Sequence, residues 1–185
     1  YPSKTVSYNA IIGGDDLHIK DNMNSVIIGG ESSQIYGAAQ SAGFANSIIG
    51  GDNNFIYNTN PSILVNNNSI IGGESNSIYE GSNTDTNFNV IIGGLGNMIH
   101  DGLDNAIIGG TTNTIFGHNR SVILGGASIS SAADDFVYVP NFNINTTPVN
   151  DDTITQVLVR DSVNGDVKYR NASSLGGGGG TFTGG

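Results

Sequence analysis

The sequence predicts an all-β protein: a parallel β-solenoid, or β-roll, of about seven turns, expected to associate as a homotrimer and followed by a small β-hairpin module. Two observations carry the solenoid. A motif of two adjacent apolar residues, Ile-Ile in six copies and Ile-Leu in the seventh, followed by two glycines recurs seven times, and each copy reads as short strand segments bounded by Gly, Asn and Ser. A third observation carries the trimer. The two isoleucines are adjacent, and neighbouring strand residues face opposite ways, so each strand is apolar on both sides.

The elements follow in chain order. The paired apolar residues are Ile11 and Ile12, Ile27 and Ile28, Ile48 and Ile49, Ile70 and Ile71, Ile91 and Ile92, Ile107 and Ile108, and Ile123 and Leu124. Each pair runs straight into two glycines: Gly13 and Gly14, Gly29 and Gly30, Gly50 and Gly51, Gly72 and Gly73, Gly93 and Gly94, Gly109 and Gly110, Gly125 and Gly126. The first glycines are spaced by 16, 21, 22, 21, 16 and 16 residues, a 16-residue unit with insertions of five or six. Six units continue with a further isoleucine, at Ile19, Ile35, Ile56, Ile78, Ile99 and Ile115. The insertions fall behind that residue, at 36–45, 57–67 and 79–88, where a solenoid tolerates longer loops. Helix is excluded by the missing i, i+3, i+4, i+7 recurrence and by the glycine pairs.

Within the shaft, residues 1–131, one Ile of each pair faces a dry interior and its neighbour faces the other way, forming an external apolar ribbon. A ribbon of that length needs partner chains to cover it, so a charge at either Ile70 or Ile71 is expected to destabilise. The glycine pairs suit positive φ or close backbone approach. Two sets of asparagines recur at equivalent positions and are read as ladders between turns: Asn54, Asn76, Asn97 and Asn113, and Asn9, Asn46, Asn68, Asn89 and Asn105.

Residues 132–175 are expected to form a separate connector module. Stretches 136–139 and 141–145 read as strands and 146–153 as a polar link, while 156–161 and 166–170 form a hairpin turning on Asn164 and Gly165. Residues 176–185 read as a Gly-rich linker. The chain opens on Tyr1, which suggests a processed or partial polypeptide, and 181–185 read as the start of a further segment.

Composition narrows the function. Of 185 residues only 12% are charged, with 6 Lys and Arg against 16 Asp and Glu, a net charge of −10. Three of the cations, Arg160, Lys168 and Arg170, lie near the C-terminus, so nucleic-acid binding is not expected. There is no Cys, which excludes disulfides and thiolate metal sites, and no apolar run long enough for a membrane helix. The calcium-roll ligand position carries His18, Gln34, Phe55, Ser77, Met98 and Thr114 instead of Asp, so no metal or other cofactor is expected. The pairs Asp15 and Asp16, Asp134 and Asp135, and Asp151 and Asp152 read as solvated turns, and His18, His100 and His118 as loop residues. No nucleophile elbow or phosphate loop appears, and aromatics look scattered along the shaft.

The Asn-Ser-Ile-Ile-Gly-Gly copies with their following Asn-x-Ile resemble the heads of trimeric autotransporter adhesins, from which the 16-residue unit departs in length. They are more similar still to repeat-rich fibre proteins of tailed bacteriophages and some large viruses, and the hairpin resembles a connector module of such fibres. The resemblance covers roughly residues 9–126. It implies a non-catalytic fibre on a virion surface, bound to itself and to other virion or fibre proteins, with host receptor or glycan recognition mainly outside this chain. A bacterial surface adhesin and a glycan depolymerase are the alternatives.

Overall fold

The computed structural model describes residues 8–37, 43–60, 65–80, 85–143, 156–163 and 165–171. The chain divides into two units, Tyr1–Phe142 and Asn143–Gly185. Every regular element among the described residues is a strand.

The first unit winds as a coil with two long parallel sheets. One holds, in spatial order, Ala10–Ile12, Val26–Ile28, Ser47–Ile49, Ser69–Ile71, Val90–Ile92, Ala106–Ile108, Val122–Leu124 and Val137–Tyr138. The other holds His18–Lys20, Gln34–Tyr36, Phe55–Asn58, Ser77–Glu80, Met98–His100 and Thr114–Phe116. Register never slips: Ile27, Ile48, Ile70 and Ile91 stand directly over one another. The core is a double column of isoleucines, among them Ile27, Ile48, Ile70, Ile91, Ile107 and Ile123 from one sheet and Ile35, Ile56, Ile78, Ile99 and Ile115 from the other, all fully buried. Ile11 and Ile19 are the exceptions, and Ile19, on the terminal strand of the second sheet, is half-buried. Ile11 stands on the terminal strand of the first sheet and keeps 48% of its surface exposed.

The 16-residue unit is itself two similar halves of eight, a period that the glycine spacing hides. Residues 105–112 and 113–120 illustrate it. Asn105 and Asn113 are buried, Ile107 and Ile115 follow two residues on, and Thr112 and Arg120 close each half at φ 53° and 52°. In each half a positive φ also follows the outward residue, at Gly109 and at Gly117. Two corners of this kind per coil turn the chain back on itself with no helix or long loop.

The glycine pair does two different jobs. At Gly72 (φ 68°) a methyl group would meet nothing, so only the left-handed backbone favours glycine. At Gly73 (φ 79°) a Cβ would strike the Asn76 amide nitrogen and come within 2.5 Å of the Gly94 carbonyl oxygen of the next coil. Gly72→Ala should therefore cost about 1–2 kcal/mol. Gly73→Ala should cost more and prevent adjacent coils from closing, which urea unfolding of the two variants would rank.

Three features differ from expectation. The stretch 136–139 belongs to the coil: Val137–Tyr138 pairs with Val122–Leu124, setting Tyr138 over Ile123. The Tyr138 hydroxyl oxygen accepts from the Ala132 and Ala133 amides, so a ring replaces the motif at this end of the core. Residues 141–143 form no strand, and the remainder of 141–145 lies outside the described residues. Finally, short strands Asn22–Met23 with Gly43–Phe44, and Val65–Asn66 with Thr86–Asn87, add a third side to several coils where polar loop was expected, because Val65 reaches into the core.

In the second unit Gln156–Arg160 pairs antiparallel with Val167–Asn171. The turn is wider than the two-residue form that Asn164-Gly165 suggests. The last strand pair is Arg160 with Val167, and the Gly165 amide donates to the Asp161 carbonyl at 3.0 Å. Asp161 is the cause: its carboxylate accepts from the Val163 amide at 2.9 Å and from Lys168 at 2.8 Å, an Asx turn that opens the loop. Gly165 keeps a positive φ of 85°, while Asn164, the link 146–153 and the linker 176–185 lie outside the described residues.

Candidate functional site

The outward side of the Ile-Ile sheet is a flat apolar face. Its strands present Val26, Ser47, Ser69, Val90, Ala106 and Val122, and beside them Ile28, Ile49, Ile71, Ile92, Ile108 and Leu124. Those six larger side chains are all between 39% and 43% exposed, whereas the isoleucines just before them are wholly buried. Ile12 is more open at 57%. No charged side chain interrupts the face from Val26 to Leu124.

Next to it runs the column of first glycines, and here the two half-units disagree in an informative way. In the other half the same positive-φ bend is held by Asp21 (φ 52°) and Asp101 (φ 53°). A side chain is therefore compatible with the bend, and the space around Gly29, Gly50, Gly72, Gly93, Gly109 and Gly125 is empty. Glycine nevertheless fills the position in every coil beside the apolar face.

The asparagine ladders lie inside. Each Oδ1 accepts the backbone N–H of the equivalent residue one coil on, and between Asn46, Asn68 and Asn89 it also accepts from the next side-chain amide, Asn68 Nδ2 to Asn46 at 3.3 Å and Asn89 Nδ2 to Asn68 at 3.1 Å. Asn54 thus accepts from Asn76, Asn76 from Asn97, Asn97 from Asn113 and Asn113 from Ile129, each at 3.0 Å. In this set the Nδ2 groups turn to glycine carbonyls, as from Asn97 to Gly110 at 3.2 Å. In the first set Asn9 accepts from Ser25, Asn46 from Asn68, Asn68 from Asn89, Asn89 from Asn105 and Asn105 from Ser121. Ser33, which the Asn pattern passes over, takes the same place with its hydroxyl, accepting from Asn54 at 3.2 Å. Leu17 and Ile129 hold that position in the outermost coils and pack on the core instead.

Opposite the apolar face five ring-bearing residues form one file. The residues directly after Ile35, Ile56, Ile78, Ile99 and Ile115 are Tyr36, Tyr57, Tyr79, His100 and Phe116, with Lys20 heading the column. Tyr57 and Tyr79 stack at 4.8 Å, Tyr79 meets His100 edge-on at 4.0 Å, and His100 stacks on Phe116 at 4.5 Å. The five stand at one fixed place in the repeat, directly after its later isoleucine, so registering the units on one another brings the file out.

His100 is therefore a packed residue and not a solvent-facing loop residue, at 7% exposure. Burial pushes its imidazole below the ordinary 6.5, and the Asp101 carboxylate 3.0 Å away opposes that shift. The native state then binds fewer protons than the unfolded chain just below pH 6.5, so stability is full above that value and declines as pH falls through it. We expect the melting temperature to drop on acidification below pH 6.5 and His100→Phe, which keeps the ring, to reduce that drop. An identical profile in both proteins would refute the assignment.

Among the described residues the other histidines and acidic pairs stand in small separate groups. His18 is exposed beside Asp16 at 2.9 Å, and His118 Nδ1 lies 2.7 Å from the Ser131 hydroxyl. Asp134 accepts from the Asn119 amide, and Asp135 holds Arg120 with both oxygens. Asp151 and Asp152 lie outside the described residues. Asp15, Glu31, Asp52 and Glu74 bridge successive coils in one exposed column, a line of like charge that salt should relieve. Among the described residues no three His, Cys, Asp or Glu gather as for a metal ion. Comparison with protein-family models and with curated proteins gives no match.

Proposed function

We propose that the chain is a structural segment of a surface fibre on a virion, in which three copies close their apolar faces around a common axis parallel to the coil. The observation that carries this reading is the unbroken file from Ile28 to Leu124, exposed at every level on a sheet whose other side is dry. A soluble coil that left this file open would present a long aggregation-prone surface. Threefold closure keeps all chains parallel, covers the file, and leaves both ends free to continue as a shaft.

The glycine column supports close approach by the other copies, since nothing within the chain needs that space. Gly72→Asn tests it cleanly, because Asn accepts a left-handed backbone. We expect this variant to fold with its strand content intact and to sediment as a smaller species than the parent protein. Retention of the parent's size would remove the glycine column from the interface.

The fibre reading takes the hairpin unit as a connector toward further fibre proteins and places host recognition mainly elsewhere. It involves no catalysis and no cofactor. Antibodies raised against residues 9–126 should decorate fibres on virus particles. Decoration confined to bacterial surfaces would overturn the virion assignment in favour of a cell-surface adhesin.

A further inference from the structure

The aromatic file is broken at one place. Tyr57, Tyr79, His100 and Phe116 touch in succession, but Tyr36 and Tyr57, paired in register, make no ring contact. Tyr36 is drawn the other way. Lys20 donates to its hydroxyl at 2.6 Å and lies 4.8 Å from its ring centre. Where the rings part, the surface opens into a groove of about 740 Å³.

We propose that this groove binds a saccharide unit. Tyr36, Phe55 and Tyr57 supply apolar walls, and Lys20, Gln34 and Thr59 supply polar groups around them. A pyranose has this complementary character, with an apolar C–H face for an aromatic wall and a rim of hydroxyls that donate and accept. The Gln34 side chain bonds to nothing among the described residues, so its amide offers both a donor and acceptors to a hydroxyl. The volume falls within the range of small-molecule sites, which are mostly apolar with a few placed polar groups. With a net charge of −10 and a single Lys at the groove, a polyanion is disfavoured. The site lies on the sheet opposite the proposed assembly face, so saccharide binding stands or falls independently of the trimer.

The test uses the whole chain. Saturation-transfer NMR with methyl glucoside, methyl galactoside, N-acetylglucosamine, maltotriose and sialyllactose should show transfer to the ring protons of at least one neutral sugar. Gln34→Ala and Tyr36→Ala should each weaken that binding by about tenfold. Phe116→Ala, at the far end of the same file, should leave it unchanged. Melting curves establish that each variant is folded, and Gln34→Ala serves if Tyr36→Ala is not. Absence of transfer to all five sugars overturns the proposal, as does equal binding by Gln34→Ala and the parent, or binding of sialyllactose alone.

Discussion

Ile70→Asp should unfold the coil, while Ile71→Asp should leave it folded but unassembled. The residues are adjacent and chemically identical, yet Ile70 is wholly buried and Ile71 is 40% exposed. At position 70 the carboxylate would sit between Ile48 and Ile91 with no counter-charge, and an unpaired buried charge is not tolerated. Even Ile70→Ala should cost about 2–5 kcal/mol, as for other cavities left by large aliphatic side chains. At position 71 the charge reaches water in the isolated chain and is expelled only when the face closes. Circular dichroism and sedimentation together separate the outcomes. Loss of strand signal in Ile71→Asp, or a folded Ile70→Asp, would contradict the assignment of inner and outer faces.

Asn97→Ala should destabilise on the order of 4 kcal/mol, comparable with an emptied core position. Its Oδ1 serves the Asn113 N–H at 3.0 Å, and its Nδ2 faces the Gly109 and Gly110 carbonyls at 3.3 and 3.2 Å. Truncation strands these groups in a dry interior, each at about 1–3 kcal/mol. Asn97→Asp keeps the acceptor for Asn113 but turns a second oxygen toward the glycine carbonyls. That variant should be unstable at neutral pH and partly recover on acidification, when the carboxyl can donate. Urea unfolding at neutral and acid pH measures both effects. An Asn97→Ala protein as stable as its parent would reduce the ladder to decoration of the core.

Translational symmetry made much of this fold legible. Ile48, Ile70 and Ile91 occupy identical environments one strand spacing apart, so the sequence repeats wherever the environment does. The insertions obscured the rest. They fall only in the second half of the unit and stretch its spacing, so the eight-residue half-period linking Asn105 with Asn113 is hidden among steps of 16, 21 and 22. Tyr36, Tyr57, Tyr79, His100 and Phe116 share a column without sharing an identity, because an outward position constrains shape less than a core position does. The eighth coil carries no motif, since Tyr138 closes the core with a ring and needs neither isoleucine nor glycine pair. The hairpin was legible from the alternation of 156–161 and 166–170, whereas the Asx turn that the Asp161 carboxylate makes, four residues before Gly165, leaves no periodic signal.

The central claim is that the second isoleucine of each pair faces further copies of the same chain. Native mass spectrometry of the intact protein tests it most directly. With a chain mass of 19.1 kDa, the trimer should appear at 57.3 kDa, three times that value. A monodisperse species at 19.1 kDa, soluble with its apolar face open to water, would contradict it.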